Sequence, residues 1–153
     1  MPYLKNDLKN VIINGLLFAL LGGILAGSLD FLFNYINAPI SVGLVLLSLL
    51  IGYRIKKTYN SYHILYPTLT ILFMIVGLFV AYFTMNIFLH GISNFFNILG
   101  DGYFYLSFIE SPVSLFILGI KQGNGWNITF GVVNVIIYVI AFYVCYNISK
   151  SSN

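Results

Sequence analysis

Four long apolar stretches, broken by polar residues mainly near their ends, set the pattern of this chain: Val11–Ile36, Ile40–Ile55, Ile64–His90 and Thr129–Ile148. Each exceeds an ordinary strand of roughly four to eight residues, and apolar runs of about 18 or more read as membrane-crossing helices. As a helix, Val11–Ile36 spans about 39 Å at about 1.5 Å per residue, more than a hydrocarbon core of about 30 Å requires. Ile40–Ile55 is short for that core, so flanking residues extend it or the bilayer thins around it. Pro67 falls in the first turns of Ile64–His90, where a missing N–H costs little. The first stretch is not expected to be a cleaved signal peptide. Its apolar run exceeds the usual 7–15 or so residues, and Asp30 near its end is a poor lead-in to cleavage. The pattern predicts an all-α integral membrane protein, a single domain over residues 1–153, built as a four-transmembrane-helix bundle.

The connection from Gly91 to Ile128 is too long for a plain loop, and much of it is apolar: FFNIL, YFYLSFI, VSLFILGI. A fifth span over Tyr103–Ile120 would bury Glu110 near its centre, at roughly 2.5–3.5 kcal/mol, and Pro112 would interrupt it. The expectation is instead a split at Ser111–Pro112. Ser111 caps and Pro112 opens a short helix to Ile120, which lies in the interface or dips in and returns. Lys121, Gly123 and Gly125 then supply turn chemistry.

Composition strengthens the membrane reading. Hydrophobic residues make up 59% of the chain and charged residues 7%, against roughly 25% charged in soluble domains. The net charge of +3 is small but organised. Lys5 and Lys9 precede the first helix, Arg54, Lys56 and Lys57 separate the second from the third, and Lys150 follows the fourth. Four crossings bring all six to one side, which the positive-inside rule makes cytoplasmic, with both termini there. Arg54, Lys56 and Lys57 fix topology or meet anionic lipid headgroups. Only Lys121 falls on the other side, beside Asp101 and Glu110. Tyr53, Tyr59, Tyr62, Tyr66, Tyr143 and Tyr146 gather as an anchoring belt at the inner interface, and Tyr35, Tyr103, Tyr105 and Trp126 at the outer one. Such a chain belongs in a plasma membrane, and its Asn, Ile, Phe, Tyr and Lys usage suits an AT-rich bacterium.

The first helix carries small residues in two interleaved rows: Gly15, Ala19, Gly23 and Gly27, then Gly22 and Ala26 followed by Asp30. At about 100° per residue both rows fall on one arc. Small residues four apart let another backbone approach closely and drive association in lipid. The partner is the second, third or fourth helix, or another copy. Asp30 therefore faces protein rather than acyl chains. Asn86 and His90 of the third helix and Asn134 of the fourth reach a similar depth, which predicts a polar cluster of Asp30, Asn86, Asn134 and His90 in the outer half of the bundle.

Catalytic signatures are missing. His63 and His90 fall at opposite membrane faces, which excludes a shared metal or haem, and no other histidine exists. Leu99-Gly-Asp-Gly102 lacks the glycine at 98 that an intramembrane aspartyl protease site would carry. No GxSxG, P-loop or CxxC occurs, and the single cysteine, Cys145, allows no intrachain disulfide. No cofactor and no nucleic-acid partner are expected; the bilayer itself is one partner. Three functions stand against each other. The first is an accessory, assembly or immunity-type subunit that docks a membrane protein or a second copy. The second is a small cation-coupled transporter or channel subunit using Asp30. The third is a lipid enzyme using Asp30, His90, Asp101 or Glu110.

Overall fold

The computed structural model describes residues 2–36, 40–60 and 63–150. All regular structure among them is helical: α1 (Pro2–Tyr35), α2 (Val42–Lys56), α3 (Leu65–His90), a 3-10 turn (Ile92–Asn94), α4 (Phe95–Gly100), α5 (Gly102–Glu110), α6 (Ser114–Gln122) and α7 (Gly125–Lys150). Among the described residues three helices are long and apolar enough to cross a membrane: α1 from Lys5, α3 and α7. The α5–α6 pair passes the same test only as a unit bent by 88°, a broken span or a re-entrant loop. At 15 residues, or about 22 Å, α2 falls short of a full span by itself.

The bundle is built on close backbone approach. A Cβ placed at Gly23 would lie 2.6 Å from the Gly77 carbonyl oxygen, and one at Gly27 would collide with the Ala81 carbonyl. Gly15 is covered by the Phe73 ring. Residue numbers rise together along these contacts, so α1 and α3 run parallel, with Gly77 and Ala81 supplying small residues on the α3 side. Against α2 the order reverses: Gly22 meets Leu47 and Gly43 meets the Ala26 backbone. The two rows on α1 thus serve two neighbours. Gly15, Ala19, Gly23 and Gly27 face α3, while Gly22 and Ala26 face α2.

α2 packs one side into the bundle. Leu44, Leu47, Ser48, Ile51 and Ile55 are all buried, and Gly52 packs on Cys145 and Ile148 of α7. Its other side, with Val45, Leu49 and Tyr53, is exposed. Its start is recessed. Gly43 sits level with Ala26, and roughly 13 Å of α1, at about 1.5 Å per residue, continues beyond it.

One end of the molecule gathers the basic residues. Arg54 of α2 reaches Asn14 of α1, Asn60 N–H donates to Asp7, and the Tyr59 hydroxyl donates to the Ser149 carbonyl. Those contacts bring Lys5, Lys9, Arg54, Lys56, Lys57 and Lys150 to this basic end. At the opposite, far end α6 runs antiparallel to the start of α7, with Gly119 on Ile128 and Gly131 on the Phe116 backbone. Lys121 falls there, apart from the other six.

Several expectations need correction. α1 begins at Pro2, not Val11, because Lys5, Asp7 and Lys9 form a polar helical extension pinned by the Asp7–Asn60 bond. α7 starts at Gly125 rather than Thr129. The split between α5 and α6 falls where Ser111–Pro112 predicts it, but Ser111 closes α5 and the next helix opens at Ser114 behind Val113. Gly123 ends α6 with φ 62°, the left-handed turn its glycine permits. The inner aromatic belt loses two members. Tyr59 and Tyr66 are buried and stack at 4.8 Å, whereas Tyr53 and Tyr143 are exposed; Tyr62 lies outside the described residues. At the far end Tyr35, Tyr103, Tyr105 and Trp126 are all exposed.

Candidate functional site at the far end

The recessed start of α2 creates a problem of physical chemistry. The first amides of a helix have no partner within it, and here they are part-buried between α1 and α7. Ser41, at the cap position, makes no side-chain hydrogen bond to the helix. Two other helices supply the acceptors. Gly43 N–H donates to Asp30 Oδ1 of α1 at 2.7 Å, and Ser41 N–H donates to Asn134 Oδ1 of α7 at 3.1 Å. The local sequence makes this possible. Ala26 lets the Gly43 backbone in, since any Cβ at Gly43 would strike it. Asp30 then stands one turn further along the same face of α1. A carboxylate also complements the partial positive charge at a helix start.

Above this cap lies a partly enclosed cavity of about 260 Å³. Asp30 and Asn34 line it from α1, Ser41 from the approach to α2, and Tyr82 and Met85 from α3. Phe108 and Ser111 close it from α5 and the bend, and Asn134 and Tyr138 from α7. The Tyr138 hydroxyl is 3.4 Å from Ser111 Oγ. Tyr138 stands midway along α7, so the α5–α6 bend reaches the depth of the bundle's middle. Aromatic rings hold that arm to α3. Phe108 meets Phe79 edge-on at 5.3 Å, Phe104 tilts against Tyr82 at 5.3 Å, and the Tyr82 hydroxyl donates to Ser107 Oγ at 2.8 Å.

Of the predicted polar cluster, the structure unites Asp30 and Asn134 through the α2 amides and separates the rest. The Asn86 side chain turns back to its own helix, donating to the Tyr82 carbonyl at 2.8 Å. His90 is exposed at the end of α3. For Asn86 and His90 the sequence did not convey direction around the helix axis. Sequence reasoning missed Ser41, Tyr82, Ser111 and Tyr138. The only early signal for them was the split at Ser111–Pro112, which brings the bend into the bundle.

Other candidates find local employment. Asp101 caps α5, accepting from Tyr103 N–H at 2.9 Å, and Glu110 is exposed. Among the described residues no three His, Cys, Asp or Glu side chains are grouped to hold a metal ion. At the basic end Arg54 and Lys57 border a second, open groove, while Lys56 lies beside it. Comparison with known proteins leaves the site to be judged on its own chemistry, for no family model, curated protein or solved structure matches this chain.

Proposed function

We propose that this chain is a four-span protein of a bacterial plasma membrane, with α1, α2, α3 and α7 as the crossings, the α5–α6 arm re-entrant, and the basic end cytoplasmic. α2 can serve as a crossing despite its length because the bilayer thins around a short span, while its buried side packs on α1 and α7. The far-end cavity is its working site, and it takes a small positively charged solute, as a transporter or channel subunit would.

The observation that carries this reading is the make-up of the cavity wall. It holds one carboxylate, Asp30, three aromatic rings, Tyr82, Phe108 and Tyr138, and no lysine, arginine or histidine. The start of α2 offsets Asp30 by only about half a charge, so the wall stays net negative. Aromatic faces add attraction for an ammonium group, about 0.5–2 kcal/mol each.

Asparagine caps a helix as well as aspartate does, so Asp30→Asn removes the charge and keeps the hydrogen bond. Titration of the purified protein with tetramethylammonium should give saturable binding that Asp30→Asn weakens roughly tenfold, the loss of one partly buried charge contact. Asp101→Asn should leave it unchanged. No binding by the wild type, or equal binding by Asp30→Asn, refutes the reading.

A role in docking a membrane partner or a second copy no longer has the α1 small-residue face to draw on, because α2 and α3 occupy it. What supports that role now is the arm, where Tyr103, Leu106 and Ile109 are exposed. An accessory subunit would use that surface.

A further inference from the structure

The groove between α1 and α2 at the basic end is a different kind of site. Phe18, Leu46, Leu49 and Leu50 form its walls, and Tyr53, Arg54 and Lys57 stand at its mouth. Arg54 is held in place by the protein itself: Nε and Nη2 both donate to Asn14 Oδ1, at 3.0 and 2.7 Å, and the guanidinium lies 5.0 Å from the centre of the Phe18 ring. Its other terminal nitrogen, Nη1, carries no hydrogen bond among the described residues. Among the described residues no carboxylate lines the groove. The nearest acid on α1, Asp7, is buried and bonded to Asn60.

We infer that this groove binds one anionic glycerophospholipid, its phosphate between Arg54 and Lys57 and an acyl chain along Phe18, Leu46 and Leu50. Two uncompensated cations call for an anion, and the apolar floor that continues beneath them calls for a hydrocarbon tail on the same molecule. The dimensions agree. Leu46 to Lys57 covers roughly 16 Å of helix, about the depth of one leaflet of a core about 30 Å thick. A guanidinium already positioned by Asn14 and Phe18 loses little freedom on meeting a phosphate, which favours a held lipid over a diffuse cloud of headgroups. The inference rests on the membrane reading but not on the far-end cavity.

A fluorescent reporter tests it. In a Trp126→Phe background, Leu49→Trp puts the only tryptophan in the groove. Quenching by brominated phosphatidylglycerol in phosphatidylcholine vesicles should exceed quenching by brominated phosphatidylcholine, and should saturate. The Arg54→Gln, Lys57→Gln double variant should weaken the phosphatidylglycerol affinity roughly tenfold or more. Lys56→Gln, which removes a neighbouring charge outside the groove, should keep the preference. Equal quenching by the two lipids, or a loss in Lys56→Gln as large as in the double variant, overturns the assignment. Full membrane insertion with failed quenching rejects the groove alone, whereas failure to insert rejects the membrane reading.

Discussion

Asp30 shows how one residue can look functional from sequence and prove structural as well. The small-residue rows predict that it faces protein, and its Oδ1 accepts from Gly43 N–H. Its partner was not legible, because that partner is a main-chain amide thirteen positions on, and apolarity extends the second helix back to Ile40 without marking where its amides fall unpaired. The cap predicts a graded response. Asp30→Ala should destabilise the bundle by about 0.5–2 kcal/mol, the usual cost of losing a helix cap, while Asp30→Asn should cost far less, as read from unfolding in mixed detergent micelles. Tyr66 makes the opposite case. Its hydroxyl is buried with no hydrogen-bond partner among the described residues, so Tyr66→Phe should leave stability unchanged or raise it by up to about 1 kcal/mol. A marked loss would mean the hydroxyl has a partner that the described residues do not include.

At the scale of elements, hydrophobic runs locate helices well and their ends poorly. α1 extends over Lys5, Asp7 and Lys9 because helix formation there depends on backbone bonds and the Asp7–Asn60 contact, to which a hydropathy pattern is blind. The arm illustrates the same limit. Pro112 and Glu110 make a straight fifth span costly, which sequence conveys, but the 88° bend and its depth depend on Gly119 and Gly131 admitting α7 and α6 to each other. Gly131→Leu should therefore pry the arm from α7 and leave α1, α2 and α3 packed. Hydrogen exchange should rise across α5 and α6, residues 102–122, with little change over residues 42–56. Protection lost equally in both regions would mean that the arm and the bundle fold as one unit.

Across the whole molecule, charge and shape tell one story. Six basic residues collect at the end where Arg54, Tyr59 and Asn60 tie α1, α2 and α7 together, while Asp101 and Lys121 lie at the other and Glu110 stands at the α5–α6 bend. The four passes proposed above would produce this division and would put the cavity and its carboxylate on the outer side. Single-cysteine labelling tests it most directly, in a Cys145→Ala background expressed in a bacterial membrane, with Lys57→Cys, Gln122→Cys and Lys150→Cys added one at a time. A membrane-impermeant maleimide should label position 122 in intact cells, and positions 57 and 150 only after the membrane is opened. Labelling of 57 or 150 from the same side as 122 would contradict the four-span account.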